Sequence, residues 1–421
     1  MKIRGKLGQS LLILLSLMVA LTLVMGGCGS KGTPTPTGQE AKVKIGLSIA
    51  FTGPMASGSA PMGEGMLSYV KYVNDQGGIQ YTDPATGKSQ KALLDIHWED
   101  NSYDASKRLA IFKRQADWGM DVQLLTAGPD DTAAAATQAH VPIMSISQIS
   151  GAVLNIQPVF VTGTFCSYTE QNAAFIKWAS QQQATPPRIA LISYDNQAFR
   201  FQLNGAGLTK EFCETYGGEL ADVEWVPMTI TDFTIPLTRI KEANPDWIIM
   251  QVVPSHIAMV IRDAQRVGMP STVKYIGTSS TFDEGIIGLL GAQSKGIYAM
   301  IAWAFPSQTS IPGVQLANQI VQTYYNKAPT TDHMQGITCA MIAIEGIHQA
   351  LNKVGAANLT PSAVNDALHN LTNFDPMGLT QPITMTVDYP AASRSIHVGV
   401  IQGGAVKVVS DWLPCPRLVG Q

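Results

Sequence analysis

The chain alternates between two hydrophobic periods, one typical of strands and one typical of helices. Apolar residues occupy every second position over 43–49, which predicts a strand, and recur at helical spacing over 62–73, which predicts a helix that Gly77 and Gly78 end. Further strands are predicted at 92–98, 121–126, 141–147, 188–193, 223–227, 246–253, 273–280 and 296–305. Further helices are predicted at 105–116, 131–140, 201–216, 255–267, 313–327, 333–353 and 361–371. Strands that alternate with helices indicate βαβ units and a mainly parallel sheet.

The last part of the chain predicts strands rather than alternating strands and helices. Residues 381–388, 395–404 and 405–412 predict strands, with a hairpin turn at Gly403-Gly404, whereas 77–96 carries a longer polar loop.

The alternation of strands and helices occurs twice along the chain. It restarts near 161–187, and each half opens with a strand, a loop, a helix and a Gly-Gly pair that ends the helix. With 421 residues the chain exceeds one ordinary core, so two similar α/β lobes with a ligand cleft between them are expected.

The N-terminus is typical of an export signal. Three cations precede the apolar stretch 11–25, and small residues lead to Cys28. An uncleaved membrane anchor is the alternative, but 15 apolar residues are short for a spanning helix, which needs about 20. The segment MGGC resembles a bacterial lipobox, which implies a signal peptide at 1–27, lipidation of Cys28 and a Pro/Thr-rich tether at 28–41.

Composition and motifs exclude several function classes. Removing 1–27 takes away three of the 28 cations and none of the 31 acids, so the remainder carries a net charge of −6, which disfavours nucleic acid as a partner. The chain lacks the P-loop, zinc-protease and nucleophile-elbow motifs, and its seven histidines show no metal-ligand spacing. We therefore expect no enzyme activity, cofactor or metal; Asp130-Asp131 is explained by capping of the next helix.

The remaining cysteines are Cys166, Cys213, Cys339 and Cys415, without a CxxC pair. Disulfides are permitted in an exported protein, but the spacing does not define a pairing.

The Gly/Ser-rich stretch 51–66 follows the first strand and allows two interpretations. Its glycines give GxGxxS rather than a dinucleotide fingerprint, and Glu64 would repel a pyrophosphate at that helix start. Backbone N–H groups with the Ser57 and Ser59 hydroxyls could hold a polar group, or the stretch could be an ordinary βα connection.

Five segments, in order, resemble the leucine-isoleucine-valine type periplasmic binding proteins, the extracytoplasmic receptors of ABC importers. They are VKIGLSIAFTGPMASGSAPMGEGMLSYVKYVNDQGGI (43–79), VPIMSIS (141–147), RIALISYDNQAFR (188–200), PDWIIMQVVPSHIAMVIRDAQRVGM (245–269) and the stretch from GLTQPITMTVD to VIQGGAVKVV (378–409). The resemblance covers nearly all of 43–412.

The resemblance implies a type I periplasmic binding fold, in which two Rossmann-like α/β lobes joined by a three-crossover hinge close on a ligand. Lobe 1 would begin at 42–164, lobe 2 at 165–295, and 296–421 would complete both. The implied protein is a monomeric, lipid-anchored receptor on the outer face of the cytoplasmic membrane that delivers a small-molecule solute to an ABC permease.

The resemblance also implies where a ligand binds. First-lobe hydroxyls and amides near Thr126, Ala127, Ser147, Gln148 and Ser150 would hold a carboxylate. The family's aromatic positions fall at Gly58, Phe199 and Val253, and Phe282 completes the candidate set with Ser57 and Ser59. The acid that pairs with an amino acid's ammonium falls at Ser279.

Ser279 changes the expected ligand, because a desolvated ammonium without a carboxylate partner costs several kcal/mol. A carboxylic or aromatic acid, or an amide, is therefore favoured over a branched-chain amino acid. Asp283 or Glu284 could substitute for the missing acid, although helix capping also explains them. The alternatives are a true amino-acid binder with a rearranged ammonium site, a ligand-sensing receptor of the same fold, and an exported enzyme.

Overall fold

The computed structural model describes residues 41–126, 128–147, 151–195, 197–200, 208–279 and 281–418. The predicted signal peptide, Cys28 and most of the tether lie outside these residues. Within the described ranges, none of the helices combines the length and apolar character needed to cross a bilayer.

The strands, in chain order, are β1 Ala41–Ile49, β2 Ile79–Thr82, β3 Ser89–Asp100, β4 Val122–Leu125, β5 Ile143–Ser145, β6 Val161–Phe165, β7 Arg188–Tyr194, β8 Glu219–Val226, β9 Trp247–Gln251, β10 Lys274–Gly277, β11 Tyr298–Ile301, β12 Ala391–Ser393, β13 Ser395–Gln402, β14 Ala405–Val408 and β15 Leu413–Pro414. The helices are α1 Ala56–Asp75, α2 Ala105–Trp118, α3 Ala133–Ala139, α4 Gly151–Leu154, α5 Tyr168–Ser180, α6 Gln197–Arg200, α7 Lys210–Thr215, α8 Thr234–Glu242, α9 Pro254–Arg266, α10 Gly285–Leu290, α11 Pro312–Tyr325, α12 Thr331–Val354 and α13 Pro361–Leu368.

These strands form two sheets. The first has the order β12-β6-β5-β4-β1-β3-β2, and the second has the order β14-β13-β11-β10-β9-β7-β8, with β15 added beside β13. Pairing is parallel except at β2–β3, β11–β13, β13–β14 and β13–β15. The predicted α/β class with two parallel-sheet lobes is therefore confirmed.

The chain passes between the two sheets three times in the described residues. It leaves the first sheet after β6, returns between β11 and α12, and leaves again through Arg394, the one residue between β12 and β13. We call these passages the first, second and third crossings. This topology is the three-crossover hinge that the sequence resemblance implies.

The second lobe packs around one large hydrophobic core that extends onto α11 and α12, and the first lobe has two further hydrophobic clusters. In the first lobe, α1 packs closely on α12, because a Cβ at Gly336 would overlap the Met62 carbonyl oxygen and a Cβ at Gly65 would overlap the His333 carbonyl oxygen. The Glu64 carboxylate between these helices pairs with Lys327 and with His333 Nε2. Its role is therefore structural.

Helices α5, α8 and α10 were not predicted from the pattern, and three other stretches form a structure different from the predicted one. The polar stretch 77–96 forms the antiparallel β2–β3 hairpin, because Ile79 and Tyr81 alternate and bury their side chains. Residues 381–388 form only isolated bridges rather than a strand. Helix α1 begins at Ala56, so much of the predicted Gly/Ser loop is helical.

Candidate functional site

Polar side chains of the first lobe gather where β1, β4 and β5 end. Thr126 follows β4, is buried, and accepts a hydrogen bond on its hydroxyl from the Ala50 N–H at 3.2 Å. Ser147 follows β5, and its half-buried hydroxyl lies 2.9 Å from that of Ser145. In open α/β sheets, ligands bind at the carboxyl ends of the strands, so this edge is a candidate ligand wall.

The predicted site residues Ser57, Gly58 and Ser59 lie in the first turn of α1 and differ in solvent exposure. Ser57 is exposed, whereas Gly58 and Ser59 are buried. The N–H groups of Gly58 and Ser59 both donate to the Met55 carbonyl, at 3.2 and 2.9 Å. These two amides already have a partner, which weakens the prediction that they hold an anion.

Beyond the end of β3 the backbone takes an unusual turn. Ser102 and Tyr103 have φ values of 50° and 59°, a left-handed conformation that is rare for a bulky residue. Asn101 supports the turn, since its Oδ1 accepts from the Tyr103 N–H at 2.8 Å and its Nδ2 donates to the Ser48 hydroxyl at 2.9 Å. Backbone strain of this kind often occurs at functional sites.

The half-buried Tyr103 ring lies against the guanidinium of Arg108, 4.9 Å from its carbon to the ring centroid. Arg108 donates from Nε and Nη2 to one oxygen of Asp131. Asp131 is thus an ion-pair partner; the N-cap of α3 is Thr132, so the structure does not show the predicted capping by Asp131. Nη1 of Arg108 is buried and has no hydrogen-bond partner. A buried guanidinium N–H without an acceptor is costly, which makes Nη1 of Arg108 a candidate donor to a ligand oxygen.

The facing edge of the second lobe is aromatic. Phe199 on α6 stacks on Tyr168 with centroids 5.6 Å apart and meets Tyr194 edge-on at 5.4 Å. The Tyr194 hydroxyl accepts from the Val253 N–H at 3.1 Å and shares a hydrogen bond with Nδ1 of His256 at 2.6 Å. Burial raises the pKa of Tyr194, and the nearby phenol of Tyr103 from the first lobe adds to the shift. Tyr103 of the first lobe therefore lies near enough to Tyr194 of the second lobe to influence its pKa.

Other predicted site residues of the second lobe are structural in their contacts. The Val253 and Phe282 side chains are buried in the lobe core. Ser279 is fully buried; its hydroxyl donates to the Met300 carbonyl at 3.2 Å and accepts from the Ala302 N–H at 3.0 Å. This hydroxyl joins the ends of β10 and β11.

Three acids lie where the second lobe meets the start of α12. Asp283 accepts from the Gly285 N–H at 2.7 Å, which agrees with the capping interpretation. Glu284 accepts from the N–H and hydroxyl of Thr331, and burial raises its pKa to about 7, with Asp283 adding to the shift. Both carboxyl oxygens of buried Asp332 have no partner, and burial holds its pKa well above the usual range.

Ala127, Gln148 and Ser150 lie outside the described residues. Tyr103, Arg108, Tyr194 and Asp332 were not predicted from sequence. The position of Tyr103 just beyond a strand's carboxyl end was a usable signal, whereas nothing in the local pattern distinguishes Arg108 from other polar residues of an amphipathic helix. The described residues contain no group of three His, Cys, Asp or Glu side chains arranged to hold a metal ion.

Solved structures share this fold at low sequence identity. A branched-chain amino acid ABC transporter structure from Thermus thermophilus with bound valine is 20% identical, with a TM-score of 0.76 over 89% of this chain and 97% of its own. A fatty acid ABC transporter substrate-binding protein from Thermomonospora curvata is 18% identical, with a TM-score of 0.74 over 91% and 95%. An ABC transporter solute-binding protein from Rhodopseudomonas palustris BisB5 in complex with 3,4-dihydroxybenzoic acid is 18% identical, with a TM-score of 0.70 over 89% and 98%.

No curated protein sequence matches the chain. The family model described as periplasmic binding protein matches residues 42–405, nearly the whole described region. The structure agrees with that match, because it has two lobes with parallel sheets, three crossings between them and polar groups at the strand ends. The chain belongs to the periplasmic binding protein family.

Proposed function

We propose that this protein is an exported, lipid-anchored receptor that delivers a small organic acid without an α-ammonium group to an ABC importer. Family membership and the two-lobe fold support the receptor role. Similar structures hold valine and 3,4-dihydroxybenzoic acid, and one is named for fatty acids, so the fold accommodates acids with and without an ammonium group. The lobes would close on the ligand by hinge motion at the three crossings.

The observation that carries the ligand class is the bonding of Ser279. Its hydroxyl already has an acceptor in Met300 of β11 and a donor in Ala302 just beyond that strand, so it has little capacity left for a ligand ammonium. Asp283 and Glu284 are likewise engaged, at Gly285 and Thr331. A zwitterionic ligand would then bury an ammonium without a free carboxylate at this position, which is strongly unfavourable.

Recognition of the acid itself is assigned to the first lobe. Nη1 of Arg108 would donate to a ligand carboxylate, with Ser147 and Thr126 supplying hydroxyls nearby. A charge-assisted bond to a buried guanidinium contributes about 1.5–3 kcal/mol. The Tyr103 ring, and Tyr194 with Phe199 across the lobes, would enclose an apolar or aromatic body.

A second candidate is an amino-acid receptor with a relocated ammonium site. Asp332 favours it, because both of its buried carboxyl oxygens lack partners. The raised pKa of Asp332 favours a neutral carboxyl, which is a weak partner for an ammonium. We therefore rank this candidate second.

A thermal-shift screen of fatty acids, benzoates, dicarboxylates, amides and amino acids tests the proposal. A ligand present at 100 times its dissociation constant adds about 2.7 kcal/mol to the free energy of unfolding, which is readily measured. We expect an acid without an ammonium group to give the largest shift and to be recovered chemically unchanged. A larger shift with valine or leucine would contradict the ligand class, and turnover of the ligand would contradict the receptor role.

The lipid anchor has a separate test. Cys28→Ala should move the protein from the membrane fraction to the soluble exported fraction, and Cys213→Ala serves as the control. Absence of a fatty acyl group on the Cys28 peptide of the wild-type protein, measured by mass spectrometry, would contradict lipidation.

A further inference from the structure

The end of the chain packs on the hinge. β15 pairs with β13 through Leu413 and Ile396, just beyond the third crossing. The Leu418 N–H donates to Oε1 of Glu170 at 2.7 Å, and Glu170 lies on α5 at the first crossing. We call residues 413–418 the C-terminal strap.

Further contacts hold the strap. Oε2 of the buried Glu170 accepts from the Ser167 N–H at 2.8 Å and from the Tyr389 hydroxyl at 2.5 Å. The Arg417 guanidinium lies over the Tyr389 ring, 5.0 Å from its centroid, and donates to the Asp388 carbonyl at 2.9 Å. The strap thus contacts segments that belong to both lobes.

Two cysteines lie where the strap contacts the hinge. Cys166 directly follows β6 on the first crossing, and its N–H donates to the Ser393 carbonyl at 2.9 Å. Cys415 lies on the strap, and its N–H donates to the next carbonyl, that of Arg394, at 2.9 Å. The two side chains are 1% and 6% exposed, and the Cys415 thiol adds to the pKa increase that burial gives the Cys166 thiol, as expected for two thiols that lie close together.

The other two described thiols are placed differently. Cys339 lies on α12 in the first lobe, with its sulfur 3.8 Å from the Met144 carbonyl oxygen. Cys213 lies on α7 in the second lobe. None of these four thiols is in a disulfide in the structure. Of these four, Cys166 and Cys415 are the two whose backbone amides bond successive residues, Ser393 and Arg394, at the third crossing.

We propose that Cys166 and Cys415 form a disulfide in the exported protein and thereby fix the C-terminal strap to the first crossing. The export that family membership implies places the chain where disulfides form and persist. Because the bonded residues lie beside the hinge rather than across the cleft, the bond stabilises the fold without linking the ligand walls.

The oxidant is another disulfide, such as that of an exported thiol–disulfide oxidoreductase or oxidised glutathione. Cys415, deprotonated, attacks one sulfur of that disulfide, forms a mixed disulfide and releases one thiolate. Cys166, deprotonated, then attacks the Cys415 sulfur and releases the second thiolate. One S–S bond forms in the protein, the oxidant's S–S bond is reduced, and the two protons end on the oxidant's thiols.

The order of events follows from burial. Burial raises the pKa of the Cys166 thiol, and Cys415 beside it adds to the shift, so little thiolate exists once the strap has docked. The bond therefore forms while the strap is still undocked during folding. Fully folded, reduced protein should oxidise slowly.

Peptide mapping of the full chain, exported by a bacterial host and purified without reductant, tests the proposal. The denatured protein is treated with N-ethylmaleimide before digestion. We expect Cys213 and Cys339 to be alkylated, and Cys166 and Cys415 to appear in one linked peptide pair that separates on reduction. Alkylation of both Cys166 and Cys415, or a linkage to Cys213 or Cys339, would overturn the proposal.

A stability measurement provides a second test. Reductant should lower the thermal midpoint of the exported protein by about 5 °C or more, as expected for loss of a structural disulfide. Cys415→Ser should show a lowered midpoint that no longer responds to reductant, whereas the control Cys339→Ser should retain the response. A wild-type thermal midpoint that reductant leaves unchanged would contradict a stabilising disulfide between Cys166 and Cys415.

Discussion

The facing edges of the two lobes are built differently. On the first lobe, Ser147 and Tyr103 are half-buried at the strand ends, and Nη1 of Arg108 is a buried donor without a partner. On the second lobe, Ser279 is fully buried and has completed its hydrogen bonds. The difference supports our proposal that the first lobe recognises the polar end of a ligand, whereas the second lobe supplies an apolar and aromatic cover.

Arg108→Lys should give the largest effect on binding. Lysine keeps a positive charge beside Asp131 but lacks the planar fork that presents a free N–H to a carboxylate. We expect affinity for the strongest acid from the screen to fall about 10- to 100-fold, measured by isothermal titration calorimetry. The matched control is Arg239→Lys, which changes an arginine–glutamate pair on the second lobe. Unchanged affinity in the Arg108 variant would contradict the proposal that Arg108 binds the ligand carboxylate.

Ser279→Ala should affect stability rather than binding. The substitution removes the hydroxyl that bonds Met300 and Ala302, so the free energy of unfolding should fall by about 1–2 kcal/mol in a urea titration. Ligand affinity should stay within about twofold, well under 1.4 kcal/mol. The exposed Ser57→Ala should change neither quantity. A large loss of affinity in the Ser279 variant would show that the second lobe also makes a polar ligand contact.

Tyr103→Gly separates ligand contact from backbone strain. Glycine accepts the positive φ at this position, so the substitution removes the ring while relieving the backbone. We expect about fivefold weaker ligand binding, a loss of about 1 kcal/mol, with a small change in thermal midpoint. Ser102→Gly, at the neighbouring positive φ, should leave affinity unchanged. Equal affinity in the Tyr103 variant would exclude the ring from the ligand wall.

The pH dependence of stability tests the acid cluster between the lobes. The pKa of Glu284 is raised to about 7, so the folded protein retains a proton that the unfolded chain loses above about pH 4.5. The contribution of Glu284 is therefore fully present below pH 4.5 and is lost as the pH rises towards 7. Asp283 and Asp332 face this carboxyl, and Thr331 donates to it.

Glu284→Gln should flatten this part of the stability profile. Between pH 5 and pH 6, the free energy of unfolding of the wild type should fall by about 1 kcal/mol relative to the variant, because a full proton difference contributes about 1.4 kcal/mol per pH unit. The exposed Glu242→Gln is the control, and its profile should follow the wild type. Parallel profiles for the Glu284 variant and wild type would contradict a proton held between the lobes.

The fold followed from sequence because local periodicity and strand–helix alternation are properties of neighbouring residues. β1, β7 and β9 lie where alternation or a short apolar run indicated them. The β2–β3 hairpin was not predicted, because its first strand has only four residues beside polar turn residues. The absence of a regular strand at 381–388 depends on tertiary packing rather than on local pattern.

The candidate site was less predictable for a physical reason. Sequence position placed Ser147, Thr126 and Ser279 at strand ends, but it could not indicate which hydroxyls were already bonded. Ser279 is satisfied by carbonyl and amide groups 21 and 23 residues away. Arg108 and Asp131 are likewise 23 residues apart and meet only in the folded lobe. Such contacts are set by topology, which a single sequence does not reveal.

The most direct measurement compares ligands that differ only by the ammonium group. Calorimetric titration should use 3-phenylpropionate against phenylalanine, and 3-methylbutanoate against valine. We predict that at least one acid binds at least about tenfold more tightly than its amino counterpart, a difference of about 1.4 kcal/mol, and that neither amino acid binds more tightly than its acid. Tighter binding of either amino acid would contradict the assignment of this receptor to ligands without an ammonium group.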